Sequence, residues 1–234
     1  MHGKFSSADI GIRARNVTLA LGAGGAKVEI LAGIDLEVPR GESLAILGPS
    51  GSGKSSLMAI LAGIERASGG DISVGGVDFG NLDEDGLARA RRGRIGIVLQ
   101  AFHLLPTMSA LENVAVPLEL AGRDDAFAVA EAELRAVGLG ERLGHYPAQL
   151  SGGEQQRVAI ARATAPRPEI IFADEPTGNL DGQTGHHIID LLFERRRAAD
   201  ATLIMISHDP ALAERCDRIV EMRDGRIVSD RRPA

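Results

Sequence analysis

The fold of this chain is decided by residues 43–62, which read SLAILGPSGSGKSSLMAILA. The apolar run Ser43 to Leu47 is short and bounded by glycines, as expected of a buried parallel strand. Residues Gly48 to Ser55 match the pattern G-x-x-x-x-G-K-[ST] in full, and the run Ser56 to Ala62 predicts a helix that ends at Gly63. A strand, a glycine-rich loop and a helix in this order predict a parallel α/β sheet whose loop binds phosphate.

The residue types in this phosphate loop, Gly48–Ser55, suit its predicted chemistry. Glycines let backbone N–H groups point inward around phosphate oxygens without interference from Cβ atoms. Lys54 brings a positive charge to the β- and γ-phosphates, and Ser55 offers a hydroxyl ligand to Mg²⁺. The alternative is a glycine- and serine-rich loop with an accidental lysine, which the flanking strand and helix argue against. The predicted nucleotide-binding residues are Gly48, Pro49, Ser50, Gly51, Ser52, Gly53, Lys54, Ser55 and Ser56.

A second candidate anion site is the signature segment, Leu150–Arg157, which reads LSGGEQQR. Its glycines and Ser151 suit a helix N-terminus that offers backbone N–H groups and a hydroxyl to an anion. The phosphate loop is already complete and lies far away in the sequence. Two anion sites on one chain therefore indicate a nucleotide held between two molecules.

Polar side chains follow three further apolar runs that are predicted to be buried strands. Asp174 and Glu175 come directly after residues 170–173, where a carboxylate lies beside the phosphate loop in open α/β sheets. Asp174 is predicted to hold Mg²⁺ through a water, and Glu175 to act as general base toward the attacking water. Gln100 and His208 follow two other predicted strands; Gln100 is predicted to reach Mg²⁺ or the attacking water, and His208 to lie next to the γ-phosphate. The alternatives are an acidic turn before Pro176 and two solvated loop side chains.

We predict that the whole chain, residues 1–234, forms one domain with an inserted helical subdomain at roughly residues 101–165. Two alternating runs at the N-terminus, with a turn at Gly22-Ala23-Gly24-Gly25 between them, predict an antiparallel β layer. The predicted strands outside residues 43–47 are Ile10–Leu21, Val28–Val38, Ile72–Val77, Ile95–Leu99, Ile170–Ala173, Ala201–Ile206, Arg218–Met222 and Arg226–Ser229. Further helices are predicted at Asp83–Arg92 and Ala126–Val137.

Composition excludes some partners. The 234 residues carry a formal net charge of −6 and only 3% aromatic residues, so no nucleic acid partner is expected. Cys216 is the only cysteine, which rules out an intramolecular disulfide and favours a packing role. No apolar run approaches the roughly 18 residues of a membrane span. If this protein works at a membrane, other chains supply the spanning helices.

Six motifs, in their order along the chain, resemble those of ABC-type ATP-binding subunits, and the resemblance covers the chain from end to end. It implies a RecA-like P-loop NTPase fold with an N-terminal antiparallel β layer. The corresponding motifs are the Walker A loop (Gly48–Ser55), the Q-loop (Gln100), the signature (Leu150–Arg157), Walker B (Ile170–Glu175), the D-loop (Asn179-Leu180-Asp181) and the switch histidine (His208).

The resemblance also implies an activity and an assembly. It implies an ATPase that uses Mg²⁺ and forms a homodimer around two ATP molecules. The implied catalytic residues are Glu175, His208 and Gln100, and the implied metal-binding residues are Ser55, Gln100 and Asp174. Ser151, Gly152, Gly153, Glu154 and Asp181 would contact the nucleotide of the other subunit. An integral membrane permease subunit would dock on the helical subdomain between about residues 102 and 120, where Phe102, Leu104 and Leu105 are candidate contacts.

Several short stretches narrow the resemblance to the lipoprotein-releasing, macrolide-exporting and cell-division ABC ATPases. They are Glu112-Asn113-Val114, Pro117, Pro147-Ala148-Gln149 and residues 172–181. Such a subunit would be peripheral to the cytoplasmic face of the inner membrane and soluble when isolated. Two alternatives stay open: an ABC ATPase that regulates a membrane partner without transport, and a soluble ABC ATPase that transports nothing. A P-loop kinase is disfavoured because the signature segment would have no role.

One position departs from the family pattern. Leu21 stands where family members usually place an aromatic residue, often Tyr, against the adenine. A leucine side chain gives apolar contact without an aromatic face. We therefore expect weaker nucleotide affinity or poorer base selectivity, with contacts to the phosphates dominating.

Overall fold

The computed structural model describes residues 9–22, 27–178 and 180–233. Most of the turn predicted at residues 22–25, and Asn179 of the D-loop, lie outside this part of the chain. The chain divides into two compact units, of which the first contains residues 1–91 and 202–234 and the second residues 92–201.

Apart from the segment 72–77, the predicted strands and the three helices predicted with bounds occur in the predicted order, with small shifts of their ends. The strands are β1 (Ile10–Leu21), β2 (Val28–Pro39), β3 (Ser43–Leu47), β4 (Gly69–Val74), β5 (Val77–Asp78), β6 (Ile95–Val98), β7 (Ile170–Asp174), β8 (Thr202–Ile206), β9 (Arg218–Arg223) and β10 (Arg226–Arg231). The helices are α1 (Lys54–Leu61), α2 (Glu84–Arg91), α3 (Ala110–Leu120), α4 (Ala126–Ala136), α5 (Gly152–Thr164), α6 (Gly182–Ala199) and α7 (Pro210–Ala213). Short 3-10 turns occupy Gly140–Arg142 and Pro147–Gln149.

The antiparallel layer of the first unit has the strand order β2-β1-β4-β5. Strand β1 contains a β-bulge, since the register shifts between Ala14 and Val17 and Asn16 has a φ of 46°. The single strand predicted at residues 72–77 is wrong. Gly75 and Gly76 adopt positive φ angles of 57° and 82°, which turn the chain and separate β4 from β5.

A second sheet in the first unit places the phosphate loop. β3 lies between β8 and β9 and is parallel to both, and β10 is antiparallel to β9. Leu44, Ala45 and Ile46 are fully buried, as their apolar run predicts. Strand β3 therefore ends, at the carboxyl edge of parallel strands, directly at Gly48.

The second unit combines a parallel pair of strands with a helical core. β6 and β7 are parallel, with Ile95 opposite Ile170. Helices α3, α4 and α5 pack around a buried apolar cluster that includes Val114, Leu118, Ala130, Leu134, Val158 and Ala161. No helix in the described ranges is both long and apolar enough to cross a membrane.

Candidate nucleotide and signature sites

The phosphate loop folds against its neighbours so closely that two of its glycines are required. A Cβ atom on Gly48, which has a φ of 150°, would collide with the carbonyl of Met222. A Cβ atom on Gly53, at a φ of 93°, would lie 2.9 Å from the carbonyl oxygen of Ile30. Larger residues would therefore displace the loop as well as strain its backbone.

Helix α1 begins at Lys54, two residues earlier than predicted, with Gly53 as a cap that provides no side-chain hydrogen bond. Its first turn contains no acidic residue. The Lys54 ammonium donates hydrogen bonds of 2.8 Å to the carbonyls of Gly48 and Pro49, across the mouth of the loop. The N-terminus of α1 therefore suits the binding of a chain of phosphates, because it combines uncapped backbone amides with the Lys54 ammonium group. The exposed Ser55 hydroxyl on the same turn is the hard oxygen ligand that Mg²⁺ prefers.

The signature segment forms the N-terminus of α5 and is held by a capping box. The Ser151 amide and hydroxyl each donate to the Glu154 carboxylate at 2.8 Å, and the Glu154 amide donates back to the hydroxyl at 3.3 Å. These bonds from Ser151, together with the Arg142 guanidinium at 3.1 Å, lower the pKa of Glu154 to about 2. Glu154 is therefore ionised at neutral pH, and Arg142 offsets its charge beside the predicted anion site.

The two glycines of the signature lie against the segment that leads into α6. A Cβ atom on Gly153 would lie 2.8 Å from Thr184 Cγ2, and one on Gly152 would lie 3.5 Å from Leu180 Cδ2. Asp181, the last D-loop residue, caps α6 by accepting a bond of 3.0 Å from the Thr184 amide. The signature and the D-loop are therefore in contact within the second unit, although they are separate motifs in the sequence.

Gln100 lies beside the loop that carries the predicted general base. Its side-chain nitrogen is so close to Gly178 that a Cβ atom there would lie 2.7 Å from it. Asp174 is the last residue of β7, and Glu175 follows with a φ of 45°, a conformation that non-glycine residues rarely adopt. Unusual backbone conformations persist where the surrounding structure enforces them, and such positions cluster at functional sites.

The predicted site residues divide between the two units. The phosphate loop, Leu21 and the exposed His208, which follows β8, belong to the first unit. Gln100, Ser151, Gly152, Gly153, Glu154, Asp174, Glu175 and Asp181 belong to the second.

Sequence reasoning missed the roles of two polar residues of α5, one of which, Gln156, belongs to the signature segment. Gln156 is fully buried, and its side-chain amide donates 2.8 Å to the carbonyl of Pro176, one residue after Glu175. Arg162 donates 2.7 Å bonds to the carbonyls of Phe102 and His103, which follow Gln100. The available signal was the presence of long polar side chains within the mostly apolar run 156–165.

The fold and these sites define an ABC-type ATPase, and comparison with known proteins establishes the family. A sequence model of the ABC transporter family matches residues 31–178. The chain therefore belongs to the ABC transporter family, in which it is an ATP-binding subunit that hydrolyses ATP.

Individual relatives and solved structures agree with this assignment. The chain is 50% identical to the ABC transporter ATP-binding protein YbbA of Escherichia coli K12, over 94% of this chain and 97% of YbbA. It is also 50% identical to the lipoprotein-releasing system ATP-binding protein LolD of Anaeromyxobacter dehalogenans, over 89% of this chain and 88% of LolD. The dimeric, post-hydrolysis structure of the ATP-binding cassette MJ0796 with ADP and Pi aligns with a TM-score of 0.88 at 36% identity, covering 95% of this chain and 99% of that one. The predicted P-loop NTPase fold is confirmed.

Proposed function

We propose that two copies of this chain bind two Mg-ATP molecules head to tail and that their closure drives a conformational change in a membrane permease. Each copy acts as one nucleotide-binding domain, residues 1–234, with a helical subdomain at about residues 101–165. Each nucleotide lies on the Gly48–Ser56 segment of one subunit. Ser151, Gly152, Gly153, Glu154 and Asp181 of the other subunit close over its γ-phosphate. Hydrolysis removes that shared contact, and the dimer opens.

The observation that carries this proposal is that one chain has two helix N-termini suited to phosphate. One is the uncapped start of α1 with Lys54, and the other is the start of α5 with Ser151. One nucleotide bound at the N-terminus of α1 does not use the N-terminus of α5, which can therefore contact the nucleotide of a neighbouring molecule. The MJ0796 cassette, at 36% identity, is itself dimeric.

The same proposal assigns the metal and the catalytic groups. Ser55, Gln100 and Asp174 would hold Mg²⁺, which supplies positive charge at the β- and γ-phosphates when bound. Glu175 orients the attacking water and accepts its proton, and His208 contacts the γ-phosphate. Ser151 turns its hydroxyl from Glu154 toward the phosphate, a rotation about one bond.

A permease partner is supported by relatives that combine the two functions. The chain is 46% identical to the macrolide export ATP-binding/permease protein MacB of Bradyrhizobium diazoefficiens, over 89% of this chain but 32% of MacB. Leu105 is 41% exposed and Phe102 is half-buried, so both are available for docking, whereas Leu104 packs against the helical core. We place the chain at the cytoplasmic face of the inner membrane, peripheral to its permease and soluble when isolated.

ATP turnover tests the shared site directly. Because neither copy has a complete catalytic site, specific activity is expected to rise with protein concentration until the dimer dominates, and to fall on dilution. The measurement is phosphate release per milligram across a thousandfold range of enzyme concentration at saturating Mg-ATP. Activity strictly proportional to concentration throughout, in a protein that stays monomeric, would contradict the proposal.

Leu21→Tyr is expected to strengthen ATP binding about fivefold or more, because a base stacked on an aromatic ring gains about 1–3 kcal/mol. Leu21 is 48% exposed at the end of β1, opposite the exposed Val28, so a larger ring is accommodated. The measurement is the ATP and GTP dissociation constants of both proteins. The same substitution at the exposed Leu120 of α3 is the control. Unchanged ATP binding in Leu21→Tyr would refute this prediction, and a strong preference of the unmodified chain for ATP over GTP would contradict the expected poor base selectivity.

A further inference from the structure

The segment that follows Gln100 has an unusual backbone. Phe102 and His103 are consecutive non-glycine residues with φ angles of 61° and 47°. Left-handed conformations in L-residues occur mostly as single residues, because the Cβ atom crowds the following carbonyl. The amide of Phe102 donates to the carbonyl of Leu99 at 3.1 Å, which bends the chain sharply. Two such residues in a row need an external contact to hold them.

Arg162 provides that contact from helix α5. Its two terminal nitrogens donate to the carbonyls of Phe102 and His103, each at 2.7 Å. Both acceptors are neutral, and burial lowers the pKa of Arg162. A planar guanidinium fixes two acceptors in one geometry, which the single ammonium of lysine does not. The positive charge of Arg162 therefore loses solvation on burial, and its hydrogen bonds hold two neighbouring carbonyls in place.

The same helix begins at the signature serine. Ser151 caps α5, and Arg162 lies three turns along it, before the helix ends at Thr164. A second tie from α5, the Gln156 bond to the carbonyl of Pro176, lies between these two positions. Helix α5 thus connects the predicted contact with the partner's nucleotide to the segments that follow Gln100 and Glu175.

We propose that Arg162 is a positioning residue that couples the backbone after Gln100 to helix α5, so that contact at Ser151 and the placement of Gln100 change together. This inference rests on the proposed function, because Ser151 must meet a nucleotide of the partner. In each active site, the placement of Gln100 thereby depends, through the signature helix of the same subunit, on whether the other site contains ATP.

The test compares Glu175→Gln alone with the double variant Glu175→Gln, Arg162→Lys, by hydrogen–deuterium exchange with and without Mg-ATP. In the single variant, dimer formation is expected to slow exchange about tenfold both at residues 151–156 and at residues 101–104. In the double variant, the slowing at residues 151–156 is expected to persist and that at residues 101–104 to disappear. In the otherwise unmodified chain, Arg162→Lys is expected to lower kcat about tenfold with KM for ATP nearly unchanged, as a small misplacement of a catalytic group does.

Arg135→Lys is the matched control, because Arg135 forms an exposed ion pair with Glu131 on α4. It is expected to leave kcat and the exchange pattern unchanged. The melting temperature of Arg162→Gln, compared with that of the unmodified chain, shows whether loss of the guanidinium unfolds the protein or removes only the coupling. A dimer of the double variant that still protects residues 101–104 would overturn the role of Arg162. If Glu175→Gln alone does not dimerise, the result would instead overturn the proposed function on which the inference about Arg162 rests.

Discussion

Replacing Glu175 with glutamine is expected to lower ATP turnover about 100- to 10,000-fold, the usual contribution of a general base. Glutamine has nearly the same shape but does not accept a proton from water. Nucleotide binding is retained, because the phosphate loop and the signature are unchanged. The variant is therefore expected to accumulate as a dimer that contains ATP. Phosphate release measures the first effect, and light scattering after gel filtration in Mg-ATP measures the second.

Glu131→Gln is the control for this experiment, since Glu131 is a surface carboxylate paired with Arg135 on α4. It is expected to keep full activity and to show no stable ATP dimer. A Glu175→Gln variant that binds ATP yet stays monomeric at high concentration would contradict the shared site. A variant that retains most of its turnover would contradict the role of Glu175 as the base.

Replacing Ser151 with aspartate is expected to weaken ATP-driven dimerisation by about 100-fold or more. The variant loses a hydrogen bond to a charged phosphate, worth about 1.5–3 kcal/mol, at each of two sites per dimer, and adds like charge there. Aspartate is as good an N-cap as serine, so helix α5 remains capped. The measurement is the dimer dissociation constant in Mg-ATP, in the Glu175→Gln background.

The chain contains a matched control for this substitution. Ser109 caps α3 in the same way, with its amide and hydroxyl each 2.7 Å from Glu112 and a return bond of 3.3 Å. Ser109→Asp therefore places a second carboxylate in an equivalent capping box that has no predicted nucleotide. It is expected to change stability as Ser151→Asp does and to leave the dimer constant unchanged. Equal weakening of dimerisation by both variants would show that the effect comes from the helix cap.

The local elements were predictable because their causes are local. The buried strand β3, the phosphate loop and the helix after it depend on apolar runs and glycines that are adjacent in the sequence. The boundaries shifted where the sequence contains no capping side chain to mark them, as at Lys54, where α1 begins two residues earlier than predicted. Strand β4 ended sooner than expected because two consecutive glycines turn the chain.

The side-chain ties within the second unit were not predictable, because they join distant residues. Asn113 is an example, because the sequence marks it only as part of the stretch Glu112-Asn113-Val114, which resembles the family. In the structure it is fully buried and bonds to the backbone of Leu105 and Met108. The residue types and spacing of Leu105 and Met108 do not identify them as partners of Asn113, since nearly every residue has the same backbone amide and carbonyl.

The phosphate loop, the strand-end carboxylates and the family membership follow from the sequence alone, because glycine, lysine and acidic residues act there through chemistry that a short pattern specifies. Only the tertiary structure revealed that Arg162 and Gln156 tie helix α5 to the segments after Gln100 and Glu175. The physical reason is that these ties end on backbone carbonyls, whose positions depend on how the chain packs and not on which residues carry them.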